Sequence, residues 1–184
     1  MISRRTFIQT AAAGVVIPQF AHAYEVPEQF KPQYVTIKND IAPGQLLVLP
    51  RAHFLYWVEA PGRAIRYGVG VGKAGLEFTG TATIDVKKKW PTWRPTDEMI
   101  ERDPDAYKRF IGNTEAQPGG PDNPLGARAL YLFQNGKDTY FRIHGTTAPR
   151  SIGRSVSNGC IRMINSHVED LYERVPVGTT VSVL

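Results

Sequence analysis

The chain has 184 residues, 42% of them apolar, with 17 glycines and 14 prolines in no repeating period. That composition excludes a disordered, collagen-like or low-complexity protein and is enough for one domain with a well-buried core. The formal net charge of +5 is mildly basic; it suits an anionic polymer and falls short of a nucleic-acid footprint. The one dense basic run, Lys87-Lys88-Lys89, is expected to be a solvated strand end.

Residues 1–23 read as an export signal. Ser3-Arg4-Arg5-Thr6-Phe7-Ile8-Gln9 places paired arginines before the apolar run from Ala11 to Ile17. Ala21-His22-Ala23 has the small-x-small form of a cleavage site, and no acid precedes Glu25. The arginine pair resembles a twin-arginine address; the alternative is an ordinary secretory signal that carries two arginines. Cleavage near Ala23 and delivery to the periplasm are expected. The run is too short for a permanent membrane span. Loss of Arg4 and Arg5 lowers the formal charge from +5 to +3.

Residues 24–33 are Pro-containing and expected to form an extended lead-in to a domain over residues 34–184. Tyr34 to Ile37 reads as a first short strand, and Leu46 to Leu49, between Pro43-Gly44 and Pro50, as a stronger one. Phe54 to Val58 and Ala64 to Val71 flank Ala60-Pro61-Gly62-Arg63, whose Pro and Gly suit a type II turn, so the pair reads as a hairpin. Gly80 to Val86 alternates polar and apolar residues, the mark of a strand with one wet face. The prolines of Trp90 to Pro95 exclude regular structure there. Thr96-Asp97-Glu98 opens a short helix. Pro104 interrupts it, and Asp105 is expected to cap a second that ends near Gly112.

Asn113 to Gly126 forms a long loop with four prolines or glycines at Pro118 to Pro121. A loop of that length in a compact domain is often the wall of a site. Ala129 to Phe133 and Thr139 to Ile143 are strands joined across Asn135-Gly136, the strongest short hairpin signal. Ser166-His167-Val168-Glu169 has the form of a capping box. Val168, Leu171, Tyr172 and Val175 keep one apolar helical face until Pro176 and Gly178 stop it. Thr179 to Leu184 is a terminal strand. The sum is a mainly β domain with a few short helices.

The chemistry concentrates between His144 and Met163. Cys160 is the only cysteine, sixteen positions after His144. A lone thiol in an exported chain is either a buried inert group or a reactive one. The thiolate is the nucleophile, and an adjacent imidazole is its natural activator. Three histidines follow the export segment: His53 lies among strand residues, His167 in a helix's first turn, and His144 where a strand ends. Gly145 and Gly159 allow the backbone to approach closely beside His144 and Cys160. Main-chain N–H groups of the Gly-Cys turn, that of Gly159 among them, are candidates for an oxyanion hole. A third group should orient the imidazole; a carbonyl near Gly145 is one candidate, Asp122 and Asp138 are others. Metal ligation is a poor fit, since Cys160, His144 and His167 lack ligand spacing and no second cysteine exists. No cofactor is expected.

His144-Gly145-Thr146, Ser151-Ile152-Gly153 and Ser157-Asn158-Gly159-Cys160-Ile161-Arg162-Met163 resemble the active-site motif of L,D-transpeptidases of the YkuD type. Gly119 to Tyr131 and the run from Gly68 to Lys73 resemble that family too. The resemblance implies a YkuD-like β-sandwich of mixed sheets, with the site in a cleft between sheet and loop. It implies acyl transfer on peptidoglycan stem peptides. Cys160 would attack the carbonyl of the third residue of a tetrapeptide donor and expel terminal D-alanine, and His144 would carry the proton. Gly145 matches the position whose carbonyl supports that histidine. An acceptor amine would resolve the thioester, giving a 3→3 cross-link, an attached outer-membrane protein or lipoprotein, or an exchanged D-amino acid. Water would instead make the chain an L,D-carboxypeptidase, and loss of turnover would leave a wall-binding module. Many members carry His where this chain has Asn158, which cannot titrate; altered substrate contacts are expected there. Ser157 and Arg162 are expected to contact substrate as well. For Arg162, pairing with a substrate carboxylate competes with a structural salt bridge. A monomer is expected.

Overall fold

Alternating apolar side chains dictate the longest strands, and their buried members meet in one core. In the computed structural model, which describes residues 24–184, Leu46, Val48, Leu55, Ile84, Leu130, Leu132 and Val181 are all fully buried. The expected export segment lies outside the described residues. The strands are β1 (Gln33–Thr36), β2 (Gln45–Leu49), β3 (Phe54–Ala60), β4 (Arg63–Gly68), β5 (Val71–Gly72) and β6 (Gly80–Lys89). After helix α1 (Asp97–Arg102) come β7 (Arg128–Gln134), β8 (Lys137–His144), β9 (Ser155–Ser157) and β10 (Ile161–Arg162). Helix α2 (Asn165–Arg174) and β11 (Thr180–Val183) complete the chain.

Nine strands form one mixed sheet in the order β1-β4-β3-β2-β11-β6-β7-β8-β10, and β5 pairs with β9 in a second, two-stranded sheet. Most neighbours are antiparallel; β11 runs parallel to β2 and β10 parallel to β8. Helix α2 touches strands five places apart in that order, β4 through Asp170 and β7 through its core face. Helix α2 buries Val168 and Leu171 in the core and packs against β7 and β8. Its Asp170 accepts the hydroxyl of Tyr67 on β4 at 2.5 Å and is gripped by Arg174 Nε at 3.0 Å.

The β7–β8 hairpin turns on Asn135 and Gly136, both with positive φ (52° and 72°), the geometry of a type I′ turn. Three expectations are corrected. No α-helix is capped by Asp105. Instead the Asp103 carboxylate accepts Ala106 N–H at 3.2 Å, and a 3-10 turn at Lys108–Phe110 follows. It stops where Phe110 buries edge-on against Trp93. Helix α2 starts two residues early, with Ile164 in place of Ser166 at its N-cap and no side-chain cap there, because Asn165 is drawn into other contacts. Lys88 and Lys89 are exposed as expected, but Lys87 is half-buried: its Nζ donates to the carbonyls of Tyr172 and Val175, where the negative end of α2 favours a cation.

Candidate active site

Strand β8 ends on His144, and β10 lies parallel beside it with Ile161 opposite Ile143 and Arg162 opposite His144. One step back along β10, Cys160 comes beside Arg142, an even offset from His144. Even offsets share a face of the sheet. His144, Cys160, Ser157, Asn158 and Arg162 accordingly line one cavity of about 280 Å³, closed by Trp93, Met99, Tyr107, Pro124 and Leu125. The long loop therefore does supply a wall, through Pro124 and Leu125. His144 is buried and Cys160 half-buried.

The imidazole is oriented by main chain. His144 Nδ1 lies 2.5 Å from the Gly145 carbonyl, which can only accept, so Nδ1 carries the proton and Nε2 is left basic. Neither carboxylate candidate takes this place. Asp138 holds Arg142 in a two-pronged ion pair at 2.6 and 2.8 Å, and Asp122 meets Gln117 only through its own carbonyl. Burial pushes His144 down from 6.5 to about 4. The Gly145 bond opposes the shift, and the charges of Arg162 and Arg142 add to it. Burial likewise raises the Cys160 thiol, a shift moderated by the Arg142 N–H and by the cations of Arg142 and Arg162. At neutral pH the free site thus holds a neutral thiol and a neutral imidazole, not a preformed ion pair.

A bulge in β8 shapes the wall beside the sulfur. Tyr140 has φ +62°, a left-handed conformation that a bulky residue adopts at a cost of order 1–3 kcal/mol. Local side chains hold it: Asp138 Oδ1 accepts Tyr140 N–H at 2.8 Å, and Thr139 Oγ1 accepts Phe141 N–H at 3.2 Å. The Tyr140 carbonyl, turned out of the ladder, lies 3.9 Å from Cys160 Sγ. Arg142 stacks 4.0 Å over the Tyr131 ring, so the half-buried Asp138–Arg142 pair supports both bulge and strand.

The Ser157–Cys160 turn closes on itself. Ser157 Oγ donates to the Cys160 carbonyl at 2.6 Å and accepts Gly159 N–H at 3.1 Å. Gly159 N–H is thereby occupied, contrary to the expectation that it faces a substrate oxyanion. Gly159 has φ +120°, and a Cβ there would lie 2.4 Å from the Phe141 ring and 2.5 Å from the Leu76 carbonyl. The turn rests on β5, where a Cβ on Gly72 would lie 2.9 Å from Gly159 Cα. That close approach accounts for glycine at position 72.

Asn158 donates through Nδ2 to Tyr107 Oη at 3.3 Å. Arg162 makes no ion pair among the described residues. Sequence reasoning missed Trp93, Met99, Tyr107, Tyr140 and Asn165. Only the aromatic spacing of Trp90 to Phe110 hinted at a wall. Among the described residues no group of three or more His, Cys, Asp or Glu side chains could hold a metal.

A mainly β domain that brings a thiol and an oriented imidazole into one cavity has the groups of a cysteine-dependent acyl-transfer domain. The L,D-transpeptidase catalytic domain, YkuD, matches residues 43–183, and the chain belongs to that family. The probable L,D-transpeptidase YbiS of Escherichia coli K12 is 33% identical over 154 residues, which cover 82% of this chain and 47% of YbiS. The chain thus spans about half the length of that relative. A crystal structure from Brucella melitensis, described as a probable carnitine operon oxidoreductase, is 56% identical. It covers 86% of this chain and 96% of its own, with a TM-score of 0.58. An L,D-transpeptidase from Mycobacterium smegmatis shares the fold with a TM-score of 0.54 at 19% identity, over 76% of this chain and 58% of its own.

Proposed function

We propose that this chain is an L,D-transpeptidase that acts on peptidoglycan stem peptides through a Cys160 thioester. The observation that carries the proposal is the His144 ring, fixed by the Gly145 carbonyl so that a basic Nε2 remains in the cavity that Cys160 lines. In the first half-reaction Sγ bonds to the carbonyl carbon of the donor's third residue while its proton passes to Nε2. The C–N bond to terminal D-alanine then breaks, and the same proton leaves with the amine. In the second half an acceptor amine attacks the thioester, gives its proton to Nε2, and the sulfur departs to recover it. Because both groups start neutral, proton transfer accompanies attack instead of preceding it.

The oxyanion donor we assign at this turn is the amide of Cys160 itself, since Gly159 N–H is bound to Ser157. Arg162, half-buried and without a carboxylate partner, is suited to a stem-peptide carboxylate through bidentate bonds. Ser157 shapes the turn, and Asn158 with Tyr107 bounds the donor cavity. Export by residues 1–23, delivery to the periplasm, and a cross-link, amine or attached outer-membrane protein as product belong to the same proposal. Among the described residues no helix is long and apolar enough to cross a membrane.

The oxidoreductase description of the Brucella relative suggests a redox alternative. It finds no support in the chain: the run from Gly68 to Lys73 lies along strands, not at a strand-to-helix turn that could cradle a dinucleotide. The test is intact-mass analysis with imipenem, followed by tetrapeptide stems with and without an acceptor amine. One adduct on wild type and none on Cys160→Ala is expected, with amine-dependent product. Absence of the adduct on folded wild type overturns the proposal. Product independent of the amine assigns a carboxypeptidase, and retention on sacculi without product assigns a binding module.

A further inference from the structure

The Gly145 carbonyl that orients His144 belongs to the peptide unit joining Gly145 to Thr146. The other end of that unit is the Thr146 N–H, and it is held too: Asn165 Oδ1 accepts it at 3.1 Å. A trans peptide is planar, with C=O and N–H pointing in opposite directions. Fixing the N–H therefore fixes where the carbonyl points. The same Asn165 oxygen accepts Ala127 N–H at 3.1 Å, tying down the loop that supplies Pro124 and Leu125 to the cavity. Both neighbours are N–H donors, so only the carbonyl oxygen of the amide can face them.

Two glycines leave room for this oxygen. A Cβ on Gly145 would lie 2.1 Å from Asn165 Oδ1, and one on Gly126 would lie 2.2 Å from it. Asn165 stands at the first position of α2, yet its side chain caps nothing in its own helix. It reaches back to the two strand ends instead.

We infer that Asn165 is a positioning residue for His144, acting through the rigid Gly145–Thr146 peptide to set the imidazole's tautomer and direction. The relay reads Asn165 Oδ1 to Thr146 H–N, across the peptide to Gly145 C=O, and on to His144 Nδ1–H. A peptide polarised at its N–H is a stronger acceptor at its C=O. The relay provides, with uncharged groups, what a carboxylate would otherwise provide, and so leaves the buried ring uncharged at rest. It rests on His144 being the base, as proposed above.

The test compares wild type, Asn165→Ala and Asn165→Asp in the full chain. The readouts are the rate of Cys160 acylation by imipenem against pH, Cys160 alkylation by iodoacetamide at alkaline pH, and ¹⁵N NMR of the His144 ring. Asn165→Ala is expected to slow acylation by roughly 10–100-fold, as a displaced catalytic group does, and to mix the ring tautomers. Alkaline alkylation, which needs no base, should stay as in wild type. Asn165→Asp keeps both acceptor bonds and should restore most of the rate. Its negative charge favours the imidazolium, so the acid limb of its profile should move to higher pH.

A folded Asn165→Ala with wild-type rate and tautomer overturns the inference. So does a slow Asn165→Ala whose ring signals and pH profile match wild type. If Asn165→Ala does not fold, Asn165→Asp decides: an acid limb unmoved from wild type overturns the relay. Failure of the proposed function looks different, because wild type would then give no imipenem adduct while the ring tautomer still reports on Asn165.

Discussion

Acidification should unfold this protein chiefly through His144. In the unfolded chain the ring titrates near 6.5, and in the folded chain burial holds it to about 4. Between those values the unfolded state binds the extra proton, so stability is full above about 6.5 and is lost as pH falls toward 4. From pH 7 down to about pH 4.5 the loss works out at about 2–3 kcal/mol, at 1.36 kcal/mol for each unit of separation. The ring is only 4% exposed, so solvent screening takes little from that figure. His167 is also lowered by burial and contributes in the same direction. Asp170 is raised by burial but lowered further by hydrogen bonds from Arg174 and Tyr67, so its contribution too falls away in acid. The comparison that isolates His144 is wild type against His144→Gln, each unfolded by urea at both pH values. Wild type should lose about 2–3 kcal/mol more than the variant, or roughly 5–10 °C in thermal midpoint. Equal losses would refute the assignment of a neutral, buried imidazole.

Asp138→Ala should cost about 1–3 kcal/mol in urea unfolding, less than a fully buried pair because Asp138 is 33% exposed. It should also slow imipenem acylation, since it releases both Arg142 and the Tyr140 bulge; a loss below about 0.5 kcal/mol would count against that account. Gly159→Ala should destabilise by roughly 2–4 kcal/mol through positive φ and the clash with Phe141 and Leu76. Gly75→Ala, at φ +81° with nothing within 4 Å, should cost only about 1–2 kcal/mol; equal midpoints for the two would show that the Cys turn is not sterically closed. Arg162→Met should raise KM for tetrapeptide stems roughly 10–100-fold, the loss of one charged hydrogen-bonding partner, and leave the circular dichroism spectrum unchanged. An unchanged KM would remove Arg162 from substrate binding.

The parts of the fold that could be read from the chain were those written in local periodicity. The alternation of β6, the Asn135-Gly136 turn and the apolar face of α2 each depend on neighbours within a few positions. The site's two main groups were legible for a similar reason: one thiol and few imidazoles leave few pairings. What stayed hidden depends on contacts distant in sequence. Strands β5, β9 and β10 have two or three residues each; β5 exists because it meets β9, and β10 because it meets the end of β8. Ser157 Oγ competes for Gly159 N–H only once the turn is folded, so the oxyanion assignment was misdirected. Ser166 has the composition of a cap, but the helix began two residues earlier, at an Ile164 cap, with Asn165 drawn to the Gly126 and Gly145 loops. A sequence shows which residues are able to cap; it does not show which other donors will reach them first.

The same long-range contacts explain why the site can dispense with a carboxylate. An Asp behind His144 would favour the imidazolium and raise the ring's protonation at a site where Arg162 lines the cavity and Arg142 lies beside Cys160. Those two cations act the other way, stabilising negative charge on sulfur and on a substrate oxygen, which is where charge develops during acyl transfer. A neutral carbonyl behind the ring fixes its tautomer without cancelling them. Asp138, the acid closest in strand register, is meanwhile bound to Arg142, which keeps its charge from the ring and holds the bulge beside Cys160. Only where β8, β10 and the start of α2 converge do a strand-end histidine, a turn cysteine and a helix-start asparagine come within reach of one peptide plane.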